Sequence, residues 1–473
     1  MSYKDLRDWL GQVDEMGELA RVPGADWDLE IGALTEVAAR GPTAPAILFD
    51  HIKDYPAGYR MLVGMIESLK RAALTTNLPV EVGRNEFIAM WKERLNNPKL
   101  IPPQYVDGGP VLENVFTGKQ IDLLKFPVPK WHDQDGGRYI GTAHIVITQD
   151  PDEGWVNMGV YRVMIHDRDQ LAVYISPGKH GRIHRQKAFD KKQPLKVAIS
   201  FGQDPLLFLM GSRAVTWGVQ ELDYAGGIKG ESIEVIRGEF TGLPIPAAAE
   251  IAVEGEIMPD ETKEEGPFGE WTGYYASGER KEPVMRVKSL MHRNDPILTG
   301  SPPFRPQAGA DNCSSLIRAA FIWDSLEKAG VPDVRGVACY QNRFFTVVSI
   351  KQRYPGHAKQ AAVVAGQCQT GAYLSRYVVV VDEDIDVADM NDVIWAMCTR
   401  VDPERSIDII RRCWSGPLDP IIPKAEKGFS SRAIIDACRP FEWIRDFPPV
   451  SGASKELKQQ VLEKYGRYLK RIG

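Results

Sequence analysis

The sequence predicts a multidomain α/β protein: a mixed α/β region over residues 1–110, a strand-rich barrel or folded sheet over 111–300, a linker and helix over 301–330, a layered α/β region over 331–450 and a lone helix over 451–473. Three observations carry this. A chain of 473 residues exceeds what one apolar core ordinarily serves. Prolines thicken at Pro102, Pro103 and Pro110 and again in GSPPFRPQ, marking boundaries. Between those boundaries the pattern is all strands, and beyond the second it alternates strand and helix.

Apolar residues at helical spacing predict helices near Tyr3–Glu15, Leu29–Arg40 and Glu86–Leu95, and the run AILFD predicts a strand at Ala46–Asp50. In the central region AHIVITQ, WVNMGVYRVMIH, LAVYISP, LKVAISFG, IEVIRGEF, AEIAVEGEIM and VMRVKSLMHR read as strands, rich in Val and Ile and separated by Gly, Pro and Asp turns. A helix over Ser314–Ala329 opens the third region. There FFTVVSIKQ, a helix over Ala358–Ala372, YVVVVDE and a helix over Met390–Arg400 alternate as βαβα. The terminal ASKELKQQVLEKYGRYLKRI is amphipathic, with a stripe of Leu457, Val461, Leu462, Tyr465 and Leu469 that has no partner in its own segment.

Acidic and basic residues nearly balance, 63 against 58, so no net field draws the chain to nucleic acid or an anionic membrane. Small molecules and protein partners are the expected ligands. The N-terminus mixes charged and apolar residues at helical spacing and lacks a signal-peptide core, which predicts a cytoplasmic location. No run of eighteen apolar residues occurs, so no membrane span is expected. Six cysteines, Cys313 to Cys438, include no CxxC pair and are expected to be reduced core residues.

Three constellations can carry chemistry. Asn157, His180 and Glu221, each near a predicted strand end, offer an amide oxygen, an imidazole and a carboxylate, a set suited to Mn2+ or Mg2+; a turn Asn, a surface His and a solvated Glu are the plainer alternative. Glu265 and Glu270 in EEGPFGEW hang from a loop too rich in Gly and Pro for helix, where burial and a cation push two carboxyl pKa values apart; a hydrophilic surface loop is the alternative. Arg162 is the cation available to Glu265. It lies five residues past Asn157, on the opposite face of a regular strand, so the two serve one site only if the strand bends or a long ligand wraps it.

The segments NMGVYR, KHGRIH, QELDYAGGIKG, EEGPFGEWTGYY and VVVVDEDIDVADMNDVIWAMCTRVDP resemble, in order and spacing, the UbiD family of reversible decarboxylases, and the likeness runs from the first helix to about Pro440. The resemblance implies a central split β-barrel that binds flavin and a C-terminal layered α/β domain for oligomerisation. It implies prenylated FMN, supplied by a separate flavin prenyltransferase, with the phosphate held through Mn2+ (or Mg2+) by Asn157, His180 and Glu221, and K+ alongside. Cofactor contacts are implied at Asn157, Gly159, Val160, Tyr161, Arg162, Lys179, His180, Glu221 and Arg432, the last standing where relatives have lysine.

The implied reaction is reversible, non-oxidative decarboxylation of an unsaturated, aromatic or heteroaromatic acid, through a covalent adduct with the flavin's azomethine ylide. Glu265, Arg162 and Glu270 match the family's catalytic network, with Glu270 as proton donor and Arg162 orienting the substrate carboxylate. SPPFRPQAGADN and SGPLDPIIP are expected to line the pocket beside Glu270, with Phe304 stacking on a ring and Arg305 pairing a second anion or a surface carboxylate. CO2, the acid and further copies of the chain, as a dimer or hexamer, are the expected partners. A glycoside or phosphate hydrolase and a non-catalytic UbiD-like subunit are the rival classes. No sugar-binding aromatic platform accompanies the glutamates, and joint retention of Arg162, Glu265 and Glu270 opposes the second.

Overall fold

The computed structural model describes residues 3–41, 44–213, 215, 217–305 and 311–469. Four sheets organise them. The first joins Leu19–Pro23, Ala46–Asp50 and Arg60–Val63 and is completed by Ile297–Gly300, which returns from the end of the central region to pair in parallel with Arg60–Val63. Helices Leu6–Glu15, Glu30–Ala39, Leu69–Thr75 and Arg84–Asn96 pack in this region.

The central sheet has nine strands. Its hydrogen-bonded path runs Tyr139–Gly141, Val163–Asp167, Gln170–Val173, Arg280–His292, Ile251–Glu265, Leu195–Phe201, Ile145–Gln149 and Val156–Gly159, all antiparallel, with Asn114–Thr117 added on Arg280–His292. Side chains alternate between two cores: Ile145 and Ile147 join one cluster with the N-terminal helices, while Val146, Val197 and Ile199 join the other.

The expected strand WVNMGVYRVMIH is in fact two, Val156–Gly159 and Val163–Asp167, broken at Val160–Arg162. The two halves lie six steps apart along the path. In a flat sheet that is about 29 Å at the usual strand spacing, whereas four trans peptides from Gly159 to Val163 span at most ~15 Å. The sheet must therefore curl until its ends approach, and Val160–Arg162 crosses the seam.

The C-terminal sheet orders Val334–Tyr340, Phe345–Ile350, Tyr377–Asp382, Phe429–Ala437 and Ile407–Trp414. The two pairings of Tyr377–Asp382 are parallel, and those made by the edge strands are antiparallel. Val378 and Val380 face helices Cys313–Lys328 and His357–Gln367, while Val379 and Val381 face Met390–Arg400. Burial on both faces explains the unbroken valine run. The expected helix Ala358–Ala372 is interrupted at Cys368, giving His357–Gln367 and Gln369–Ala372. Among the cysteines Cys313, Cys339, Cys413 and Cys438 are buried as expected, but Cys368 is half-buried and Cys398 exposed. No described helix is long and apolar enough to cross a membrane.

Candidate functional site

The long strand Ile251–Glu265 delivers Glu265 at its last residue, so this carboxylate is held by the sheet rather than by the loop. Gly266 follows at φ 89°, a conformation glycine adopts without strain, and the chain turns through Pro267–Gly269 to Glu270. Asp135 secures this turn by accepting from the Gly269 N–H at 3.0 Å, and the Gly136 N–H donates to the Pro267 carbonyl at 2.8 Å.

Arg162, next to the seam, donates from Nε to Glu265 Oε1 at 2.7 Å and from Nη2 to Oε2 at 2.8 Å, while Nη1 donates to Glu270 Oε1 at 2.7 Å. Tyr139 Oη donates to Glu265 Oε1 at 3.2 Å. The guanidinium stacks 4.5 Å from the Tyr174 ring centroid and 5.3 Å from that of Phe268. Burial works against the Arg162 charge, yet the Glu265 hydrogen bonds and charge outweigh it and hold its pKa above the ordinary value. Burial pushes the Glu270 carboxyl up, only partly offset by the Arg162 and Arg280 charges. The two glutamates thus share one cation but sit differently, Glu265 with both oxygens bound and Glu270 with one.

On the strand half before the seam, Asn157 donates through Nδ2 to Thr148 Oγ1 at 3.3 Å and Tyr161 Oη at 3.2 Å. Both contacts use the amide nitrogen and neither uses Oδ1. Tyr161 Oη also accepts from the Gly181 N–H at 3.2 Å, which ties Asn157 to the helix that His180 begins. Glycine is required at 159 and 181, because a Cβ there would meet the Tyr161 ring at 2.3 and 2.8 Å. Glu221 Oε2 accepts from the Met158 N–H at 2.8 Å. His180 and Glu221 are therefore first residues of helices, His180–Asp190 and Glu221–Lys229, not strand ends. Lys179 is the exposed N-cap residue before His180, and the Val160 N–H donates to the Gly211 carbonyl at 3.1 Å.

A divalent cation suits this trio. Glu221 is buried without an ion pair among the described residues, and burial pushes its carboxyl up to about 7. Burial and then Lys179 lower the His180 pKa, favouring the neutral imidazole a metal needs. Among the described residues no three His, Cys, Asp or Glu side chains converge, so a cation held here would need the Asn157 amide oxygen as well.

Arg432 is not brought to this cluster. It is buried in the C-terminal sheet, where its guanidinium donates to the carbonyls of Gly366, Ala372 and Ser375. The residue implied as a cofactor contact thus has three of its five guanidinium N–H groups engaged by backbone carbonyls. Phe304 lines a small cavity of about 20 Å3 with Thr35, Val63 and Glu67. Arg305 lies against Gly273, whose added Cβ would meet the Arg305 Cβ at 2.8 Å. Residues 306–310 of SPPFRPQAGADN lie outside the described residues. In SGPLDPIIP, Gly416 abuts Tyr373, and the Tyr373 hydroxyl is raised by burial and, among nearby charges, by Asp419 and Glu270. Tyr139, Asp135 and Tyr174 went unnoticed in the sequence, where no motif marks them.

Comparison with known proteins agrees with this fold. Three domains described for 3-octaprenyl-4-hydroxybenzoate carboxy-lyase match: the N-terminal domain over residues 10–86, the Rift-related domain over 104–306 and the C-terminal domain over 312–437. The chain belongs to the UbiD family of carboxy-lyases. It is 31% identical to the pyrrole-2-carboxylic acid decarboxylase of Pseudomonas aeruginosa, covering 99% of this chain and 98% of the relative. It is 30% identical to the phenolic acid decarboxylase of Bacillus subtilis, covering 93% of each. Among solved structures, the UbiD-class enzyme HmfF from Pelotomaculum thermopropionicum in complex with FMN superposes with a TM-score of 0.85 at 30% identity, over 98% of this chain and 100% of that one.

Proposed function

We propose that this chain is a reversible, non-oxidative decarboxylase of an aromatic or heteroaromatic carboxylic acid, with prenylated FMN as cofactor and Glu270 as proton donor. The observation that carries it is the buried Glu265–Arg162–Glu270 network, in which one carboxyl is raised by burial beside a fixed cation. Relatives that decarboxylate pyrrole-2-carboxylic and phenolic acids, and HmfF structures holding FMN and prenylated FMN, support it.

Asn157, His180 and Glu221 would hold Mn2+ (or Mg2+), with K+ alongside, and through the metal the flavin phosphate. The bound flavin supplies an electron sink for the pair left behind as CO2 departs. Arg162 orients the substrate carboxylate, being itself fixed by Glu265 and stacked on Tyr174. Glu270, raised and hence proton-bearing to higher pH, gives its proton to the carbon that CO2 vacates. Tyr139, Phe268 and Tyr174 wall the network from water. The flavin comes from a flavin prenyltransferase, and the chain works as a cytoplasmic homo-oligomer.

The test compares protein produced with and without a flavin prenyltransferase, by ultraviolet–visible spectrum, metal content and CO2 release from pyrrole, furan and phenolic acids. Absence of CO2 release from every acid in flavin-loaded, metal-replete protein would overturn the reading.

A further inference from the structure

The deeply buried arginines of this molecule are nearly all answered. Arg71 pairs with Glu18, Arg162 with two glutamates and Arg400 with Asp382 and Asp384, while Arg432 is met by carbonyls. Arg318 is the exception, and with it stand Arg213 and Arg343, which are half-buried. None makes an ion pair with a described residue, although Arg318 is only 6% exposed. Arg213 Nε and Nη2, Arg318 Nε and Arg343 Nε are buried N–H groups without an acceptor among the described residues. Among the described residues their guanidinium groups make one hydrogen bond, a weak one from Arg318 Nη1 to the Asn342 carbonyl at 3.4 Å.

The three come from distant parts of the chain: the end of helix Pro205–Gly211, helix Cys313–Lys328 and the turn before strand Phe345–Ile350. Their charges oppose one another. Burial and then Arg318 push Arg213 down to about 10 and Arg343 down to about 9. Cys313, Cys339 and Tyr373 are the other titratable groups that face them, all neutral at ordinary pH. Gathering desolvated like charges is unfavourable unless an anion completes the set.

The cluster also borders the reactive network. The Arg343 guanidinium lies 5.6 Å from the ring centroid of Trp271, the neighbour of Glu270, and 5.3 Å from that of Tyr373. We infer that Arg213, Arg318 and Arg343 form a binding site for an oxyanion on a small molecule, a carboxylate or phosphate group, at the seam between the central barrel and the C-terminal layer. Two molecules could bring it: an acid substrate with a second carboxylate, or the flavin through its phosphate. The inference deepens the decarboxylase reading and rests on it for the identity of those molecules.

The test uses the full-length protein and the variants Arg213→Met and Arg343→Met. Inorganic phosphate should raise the melting temperature of the wild type and leave that of the double variant unchanged. The variants themselves should melt no lower than wild type, since each removes an unanswered charge. Calorimetric titration then compares benzene-1,4-dicarboxylate with benzoate, and FMN with riboflavin. A dicarboxylate preference that falls at least about tenfold in the variants assigns the site to the substrate, and an FMN preference that falls likewise assigns it to the flavin phosphate. If neither preference changes and phosphate stabilises all forms equally, the inference is wrong. CO2 release is measured separately. Decarboxylation without anion discrimination sinks this inference alone, whereas discrimination without decarboxylation by any acid sinks the functional reading and leaves the anion site standing.

Discussion

Arg162 grips Glu265 with two parallel hydrogen bonds, Nε to Oε1 at 2.7 Å and Nη2 to Oε2 at 2.8 Å, across a gap of 103 residues in sequence. The fork matches the carboxylate in a way an ammonium cannot. Arg162→Met should cost about 3–5 kcal/mol in chemical denaturation, because two carboxylates lose their cation in a buried place. Arg162→Lys should keep more of the stability yet lose most of the rate. A Lys variant with wild-type CO2 release would show that fork geometry is immaterial.

Glu270→Gln keeps the shape and removes the acid. The rate of CO2 release should fall on the order of a hundred- to ten-thousandfold, with flavin binding largely intact. The pH dependence follows from the sign of the shift. Burial raises the Glu270 pKa, so the proton is present at low pH and lost as pH rises through the raised value. Wild-type rate should therefore decline on the alkaline side. Residual activity in the Gln variant should lack that limb, and retention of more than about a tenth of the rate would reassign the donor.

Glu221→Ala should release metal and flavin together, measured by elemental analysis and absorbance of the purified protein. A chelator should do the same to the wild type. Full occupancy of both in the variant would disprove the assignment of Asn157, His180 and Glu221.

A methyl at Gly136 would lie 1.9 Å from the Gly266 carbonyl oxygen, a backbone atom that cannot swing aside. Gly136→Ala should cost about 1–3 kcal/mol and displace the turn between Glu265 and Glu270. Thermal melting and kcat should fall together; an unchanged kcat would mean that the turn tolerates the shift.

The terminal helix Lys455–Leu469 leaves Leu457, Val461, Leu462 and Tyr465 between 42% and 53% exposed, and the Leu469 side chain is outside those described. Such a stripe is expected to close against another copy. Light scattering at micromolar concentration should give at least a dimer, and Leu462→Glu should shift the mass toward monomer. A monomeric wild type would remove this helix from assembly.

What the residues determined on their own is local. Ala46–Asp50, Tyr377–Asp382 and Met390–Arg400 were legible because each carries a complete period of apolar positions within a few residues. The candidates Asn157, Arg162, His180, Glu221, Glu265 and Glu270 could be named because their segments are distinctive. Other features were decided only in three dimensions. The break at Val160–Arg162 exists because the sheet's ends approach each other, and that curl sums small twists over the whole path rather than residing in any one strand. His180 and Glu221 begin helices whose starts carry no capping side chain, so no local signal announced them. The partners of Arg432, the carbonyls of Gly366, Ala372 and Ser375 in two successive helices and the loop beyond, were likewise invisible in the sequence. A charged side chain's role depends on which partner reaches it first, and such partners lie scores of residues away in sequence.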